Sequence, residues 1–343
     1  MEKTQKSFIN VALVGYGYWG PNLLRVFSEC DAVKVLWCCD KRVERLKIVK
    51  RKFPAVKTTR SIENILHDDK VDAVIIATPL STHFILAKKI LLFNKHVWLE
   101  KPMTENSAQA AQLIALAKSK NKVLFVDHIF LYTQPVSYLK KIIDENVIGK
   151  IYHLDSSRIN LGLFQPDTNV IWDLAIHDIT IMLYLFGKNP KSVFAFGNSH
   201  IRKGLDDTAY LRFTFDKKTS AYIRVSWLSP LKIRRTIISG NKKMILYDDL
   251  ETSEKVKIYD YRVSINKNYK PWSSTSGYQY RTGDIHTPAL ENKEALKTAC
   301  EHFIDCILRN KIPLTSGEAG LNCVKILEAA SFSLKNKGAE QIL

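Results

Sequence analysis

From residue 9 to residue 128, short apolar runs alternate with stretches in which apolar residues recur every three or four positions. The runs at 9–14, 33–39, 71–77, 96–99 and 123–127 have strand length, and the stretches between them have helical spacing. This alternation is the pattern of βαβ units, whose parallel strands are covered on both faces. In the stretch 106–120, Ala, Leu and Ile fall at helical spacing behind Asn106 and Ser107, two capping candidates. Beyond Gly149 the pattern changes. Runs at 151–157, 193–196, 209–215, 221–227 and 233–238 are joined by short turns such as Asp216-Lys217-Lys218, with one helical stretch at 170–186. That predicts a mainly antiparallel sheet with the 170–186 helix on one face. Residues 261–290 are polar and aromatic without a period, which reads as a long functional loop, and helices at 294–308 and 317–334 close the chain.

A chain of 343 residues is too long for one ordinary core and suits two domains. Apolar residues at 46% and charged residues at 25% are ordinary globular values, which excludes a disordered or low-complexity chain. No apolar run approaches the roughly 20 residues that span a bilayer, and the polar start at 1–7 lacks the apolar core of a signal peptide. The expectation is a cytoplasmic protein with no membrane partner. The six cysteines form no CxxC pair and read as reduced core residues, with Cys38 and Cys39 on opposite faces of a strand. A net charge of +17, dense in Lys and Arg over 41–60, raises a polyanionic partner. No nucleic-acid motif accompanies the charge, so it reads as a solvated helix face, or as suited to a phosphate-bearing small substrate.

The chemistry begins in the run Gly15-Tyr16-Gly17-Tyr18-Trp19-Gly20, which stands between the first strand and the first helix. Gly15, Gly17 and Gly20 have the GxGxxG spacing: a tight turn, a close backbone approach to a pyrophosphate and close helix packing, with the anion favoured at the helix N-terminus. Pro21 suits the first helical turn. Asp40 ends the second strand about twenty residues on, where a carboxylate accepts hydrogen bonds from ribose hydroxyls. NAD is therefore expected over NADP, whose 2′-phosphate Asp40 would repel, although Lys41 and Arg42 stand ready to neutralise one. The fold class is accordingly α/β: an N-terminal Rossmann parallel sheet over 1–128, then a C-terminal α+β domain with an open, mainly antiparallel sheet over 129–343. The closing helices are free to pack back on the first domain.

Two further segments lie at strand C-termini, where open α/β sheets bind ligands. Thr78, Pro79 and His83 offer small polar groups beside a cofactor, with a simple helix cap as the plainer reading. In Glu100-Lys101-Pro102 the proline holds Lys101 out of the helical region and fixes its direction. Asp173 and His177 are four apart on the 170–186 helix, so the carboxylate can orient the imidazole as a general base requires. An ordinary polar helix patch is the plainer alternative, and a metal site with Asp173, His177 and His128 fits no dense ligand spacing, so no metal is expected.

Taken together, GYGYWG, ATPLSTH, EKP and the Asp173 to His177 spacing resemble the glucose-fructose oxidoreductase, inositol dehydrogenase and MocA family (Gfo/Idh/MocA) over nearly the whole chain. The resemblance implies an NAD(P)-dependent sugar oxidoreductase in which Lys101 and His177 face the reacting carbon and the nicotinamide, Asp173 lies beside them and Lys101-Pro102 is a cis peptide. It also implies cofactor contacts from the glycine-rich run, Tyr18 and Trp19 included, and from Asp40, Thr78, Pro79, His83 and Glu100. Within the family, VDHIFLY, SSRINLG and NVIWDLAIHD are similar to members that oxidise nucleotide-activated sugars for bacterial surface polysaccharides. Asn169, Val170 and Ile171 stand where a Gly-rich stretch is commoner, and Ala175 where a Gly lies, which points away from simple inositol or glucose substrates. Substrate contacts are then expected from Lys101, His128, Arg158, Asn160, Asn169, Asp173 and His177.

The reaction so implied oxidises a secondary hydroxyl, expected at C3 of a UDP-linked 2-acetamido uronic acid, with His177 or Lys101 as the base. The alternatives are a dTDP-ketosugar reductase, a glucose 6-phosphate or inositol dehydrogenase, and a non-catalytic nucleotide-sensing scaffold. A homodimer or homotetramer is expected, joined through an exposed sheet face.

Overall fold

The computed structural model describes residues 8–165, 168–266 and 277–343. The chain divides into two compact units, Met1–Tyr132 with Lys293–Lys325, and Thr133–Asn292 with Ile326–Leu343.

In the first unit, β1 (Ile9–Val14), β2 (Val33–Cys39), β3 (Lys57–Thr59), β4 (Ala73–Ile76), β5 (His96–Leu99) and β6 (Leu124–Val126) form a parallel sheet in the order β3-β2-β1-β4-β5-β6. Helices α1 (Gly20–Glu29), α2 (Val43–Lys52), α3 (Glu63–Leu66), α4 (Leu80–Leu92) and α5 (Ser107–Ser119) alternate with the strands. The strand order reverses between β1 and β4, which places the dinucleotide crevice at the carboxyl ends of these two strands. The strands form where β-branched residues run together: all four residues of β4, Ala-Val-Ile-Ile, are buried. Asn106 caps α5, its side chain accepting from Gln109 N at 2.9 Å. β3 was not foreseen; its sequence, Lys-Thr-Thr, has no apolar run.

An aromatic cluster fixes one face of this sheet. The Trp98 ring stacks on Phe125 at 4.2 Å, and Phe27 and Phe303 meet Trp98 edge-on. Phe303 lies on helix α8 (Ala295–Leu308), so this closing helix belongs to the Rossmann unit. Burying a ring of this size contributes about 2–3 kcal/mol.

His96 gives this unit an acid sensitivity. Its Nδ1 accepts a hydrogen bond from Val123 N at 2.9 Å, which requires that nitrogen to be unprotonated. Burial first, and then the charge of Lys122, push the imidazole from 6.5 down to about 4. Between those values the unfolded chain binds the additional proton, so stability is present above pH 6.5 and is lost as pH falls towards 4. The melting temperature should therefore drop over that window, and His96→Asn, whose amide oxygen can accept the same bond, should flatten the drop. An identical drop in the variant would contradict this account.

The second unit holds α6 (Gln134–Asp144) and nine strands: β7 (Ile151–Ile159), β8 (Ser192–Asn198), β9 (Thr208–Asp216), β10 (Thr219–Ser226), β11 (Ile233–Gly240), β12 (Met244–Asp248), β13 (Val256–Ile265), β14 (Tyr278–His286) and β15 (Gln341–Ile342). Their order is β14-β13-β12-β11-β7-β10-β9-β8-β15, antiparallel throughout except for β7 beside β10. β9 and β10 meet across Lys217-Lys218, the hairpin expected there. The stretch 261–290, expected as a loop, instead carries the end of β13 and all of β14; its residues 267–276 lie outside the described residues. The error has a physical origin: eight of the nine positions of β14 are exposed, all but Gly283, so the strand carries no alternation of buried and exposed residues.

One face of the sheet carries α7 (Ile176–Phe186). The helix expected over 170–186 is split: Ile171–Ala175 form a π-turn, in which Ile176 N donates to Ile171 O, and α7 follows. Gly187, with φ 63°, ends α7 in the left-handed conformation that glycine adopts without strain. The last helix, α9 (Gly317–Lys335), is divided at Lys325/Ile326 between the two units. Among the described residues no helix is long and apolar enough to cross a membrane.

Candidate active site

The glycine-rich turn is built as its spacing requires. Gly15 has φ +100°, and a Cβ there would stand 2.4 Å from Ala77 O; a Cβ at Gly20 would meet Gly15 O at 2.3 Å. Gly17 differs, since a Cβ would find only Arg42 Nη2, at 3.8 Å, so the space over this residue is available to a ligand. The start of α1 follows with Pro21 in its first turn. These features fit a pyrophosphate held by backbone N–H groups at a helix N-terminus. Tyr18 is exposed and Trp19 partly buried on the same turn.

Asp40 stands where the spacing put it, at the end of β2 and 7% exposed. Its Oδ2 accepts from Tyr16 N at 2.8 Å and Arg42 Nη2 at 3.0 Å, and its Oδ1 from Arg42 N at 2.9 Å and Arg42 Nε at 3.0 Å. Burial works against the charge, but the hydrogen bonds from Arg42 and Tyr16 hold the carboxyl below its ordinary value. A ribose diol at Asp40 would therefore have to compete with the Arg42 side chain, a coupling that the spacing alone does not show.

Thr78 and Pro79 lead into α4, and Thr78 Oγ1 lies 2.6 Å from Thr82 Oγ1. His83 was expected to face the cofactor. It is instead 1% exposed, with Nδ1 2.9 Å from Pro102 O and Nε2 2.8 Å from Thr78 O. It is a cross-link that joins the Thr78-Pro79 turn to the Lys101-Pro102 turn, whose peptide is cis. Burial lowers its pKa, against the pull of the two carbonyls. Lys101 is partly buried, while the carboxyl of Glu100 turns inward. His128 is 1% exposed, and among the described residues neither ring nitrogen has a hydrogen-bond partner.

In the second unit, Asp173 lies in the π-turn and His177 in the first turn of α7. Asp173 Oδ2 accepts from Trp227 Nε1 at 3.1 Å. Trp227, which the sequence did not single out, is 1% exposed and packs over Gly162, where a Cβ would come within 2.3 Å of its Cδ1. Gly162→Ala must therefore push this buried ring, and with it the donor to Asp173. A destabilisation of about 1–3 kcal/mol is expected, read by urea unfolding together with a shift in tryptophan emission; unchanged stability and emission would contradict the packing described.

One expected substrate contact is corrected. Arg158 is bound to Asp178, with Nε 2.6 Å from Oδ2 and Nη2 3.2 Å from Oδ1, and both side chains are almost wholly buried. Ser156 Oγ donates to the same carboxylate at 2.8 Å. The group anchors α7 to β7 immediately beside His177, and breaking such a buried pair costs about 3–5 kcal/mol. Asn169 Oδ1 accepts from Ile171 N and Trp172 N, each at 3.2 Å, and so caps the helical segment. Asn160 follows β7, its N–H donating to Ser226 O at 3.1 Å. Among the described residues no group of three His, Cys, Asp or Glu side chains could hold a metal ion.

Residues 9–128 match the family described as "Oxidoreductase family, NAD-binding Rossmann fold", and residues 136–246 match the "GFO/IDH/MocA C-terminal domain". The chain is 37% identical over 255 residues to a UDP-N-acetylglucosamine 3-dehydrogenase of Acidithiobacillus ferrooxidans, covering 73% of this chain and 75% of that protein. It is 26% identical over 354 residues to scyllo-inositol 2-dehydrogenase (NADP(+)) IolW of Bacillus subtilis, covering 96% and 94%. The solved structure of UDP-N-acetylglucosamine 3-dehydrogenase GnnA from A. ferrooxidans superposes with a TM-score of 0.79 at 24% identity, covering 96% of this chain and 98% of that one, a likeness of fold. With both domain signatures present on the fold just described, the chain belongs to the Gfo/Idh/MocA family of oxidoreductases.

Proposed function

We propose that this chain is an NAD-dependent dehydrogenase that oxidises a secondary hydroxyl, at C3, of a UDP-linked 2-acetamido sugar used in building a bacterial surface polysaccharide. The observation that carries the reading is the 37% identity to a UDP-N-acetylglucosamine 3-dehydrogenase, against 26% to an inositol dehydrogenase. The basic surface, +17 overall, suits a diphosphate-bearing substrate.

Bound NAD supplies the hydride acceptor. The glycine-rich turn and the start of α1 would hold its pyrophosphate, and Asp40 would accept from the adenosine ribose in place of the Arg42 side chain. Lys101 donates a hydrogen bond to the oxygen that loses its proton, and His177 takes that proton. Asp173 orients the imidazole, and Trp227 holds Asp173. His83 keeps the Lys101-Pro102 turn fixed to the start of α4.

Assembly with a second copy is part of the same reading. Strand register puts Phe196, Tyr210, Tyr222 and Ile237 on one exposed face of the sheet, with Arg224 stacked over Tyr210. An apolar face rimmed by arginine is the composition of a covered interface.

The test is calorimetric titration, with NAD present, of UDP, dTDP, UDP-N-acetylglucosamine, glucose 6-phosphate and inositol. The UDP compounds should bind. A second reading, an inositol-type dehydrogenase, is favoured by the near full-length match to IolW. Binding of inositol or glucose 6-phosphate with no binding of either nucleotide would establish it in place of the first.

A further inference from the structure

Glu100 follows β5 and Asp127 follows β6, two adjacent parallel strands paired at Leu99 and Val126. The register therefore brings these two carboxyl groups together directly behind Lys101. Glu100 Oε1 and Asp127 Oδ1 are both buried and have no donor among the described residues, yet the two side chains hydrogen-bond one another. Two carboxyl oxygens bond only with a hydrogen between them, so the contact requires one proton. Asp127 also accepts from the Trp19 indole on the glycine-rich turn, and Glu100 from the Lys101 backbone N–H.

The surrounding groups agree with one shared proton. Burial, and then the negative charge of Asp127, push Glu100 well above the carboxylate range. Burial raises Asp127 as well, and hydrogen bonds from Glu100 and Trp19, with the charge of Lys101, pull it part of the way back. Burial and the Lys101 charge push His128 down to about 3, so the imidazole beside them is neutral. Tyr132, the other titratable group facing Asp127, stays a neutral phenol, raised by burial. Lys101 is thus a cation whose charge acts on both carboxyls and on His128.

We propose that Glu100 and Asp127 work as a single proton-sharing unit carrying one negative charge, a positioning pair that holds the Lys101 ammonium and ties it through Trp19 to the glycine-rich turn. This rests on the role of Lys101 proposed above. Neither carboxyl need touch substrate. In a low-dielectric setting one net negative charge beside the ammonium is favoured, whereas two would repel one another. As pH falls, the unit takes up its second proton above the ordinary carboxylate range, the counter-charge is lost and kcat falls; the apparent pKa belongs to the pair.

The experiment combines infrared spectroscopy and pH profiles on the full chain. At neutral pH the wild type should show the carbonyl band of a protonated carboxyl, and Glu100→Gln should lack it. Glu100→Gln/Asp127→Asn, which keeps the shape and leaves neither carboxyl to carry the charge, should lower kcat at least about tenfold. Its NAD affinity should stay within about twofold, and the acid limb of the kcat profile should be gone. A loss confined to folding would leave that limb in place in whatever activity remained. No band that depends on Glu100, or an acid limb unchanged in Glu100→Gln/Asp127→Asn, would overturn the inference. If the wild type turns over no sugar, the proposed function fails, and the infrared comparison still decides the shared proton.

Discussion

Lys101→Met and His177→Asn should each lower turnover at least about a hundredfold, the scale of general acid-base groups and equal to about 2.7 kcal/mol of barrier. NAD affinity should stay nearly intact. The separation follows from what each residue is attached to. Lys101 sits on a cis-proline turn fastened by His83, and His177 on a helix fastened by the Arg158–Asp178 pair; neither fastening involves the glycine-rich turn. Substitution at either tip removes a proton-handling group and leaves the pyrophosphate cradle as it was. Stopped turnover assays with parallel NAD titrations check this. Near-normal turnover, or lost NAD binding in a folded variant, would show that the chemistry lies elsewhere.

Asp40→Ser should move cofactor choice towards NADP. In the wild type the Asp40 carboxylate accepts both Arg42 side-chain bonds and two backbone N–H bonds, so it both repels a 2′-phosphate and keeps the guanidinium occupied. Serine removes the repulsion and frees Arg42 to pair with the phosphate. A charge-assisted bond of this kind is worth about 1.5–3 kcal/mol, which predicts a rise in relative kcat/KM for NADP of about ten- to a hundredfold. Adding Arg42→Ala should cancel most of the gain. A wild-type protein that already prefers NADP at equal concentrations would contradict the ribose assignment.

The βαβ half was legible because each buried strand is an apolar run of its own length: β1, β2 and β5 begin and end where their runs do. β3 and β14 were not, since strands with little burial carry no alternation to read. The π-turn at Ile171–Ala175 was hidden for a related reason, because its apolar spacing is close to that of the α-helix it interrupts. At the site, the glycine spacing and Asp40 were visible because their geometry is set by the backbone. Arg158 and His83 were misassigned because a polar side chain at a strand end or helix start has the same sequence signature whether it meets a ligand or a neighbour. Their partners Asp178 and Pro102 are fixed only by tertiary structure. Trp227 and Asp127 gave no signal beyond an apolar strand end, and only the register reveals what they hold.

The central claim is that this chain removes a hydride from a nucleotide-linked sugar and gives it to NAD. Purified protein mixed with NAD and UDP-N-acetylglucosamine, or its 6-carboxylate, should develop the absorbance of reduced nicotinamide, with product oxidised at C3 by mass and NMR analysis. Inositol and glucose 6-phosphate should give far less. A flat absorbance trace with every UDP sugar, alongside steady reduction of NAD by inositol, would contradict the account.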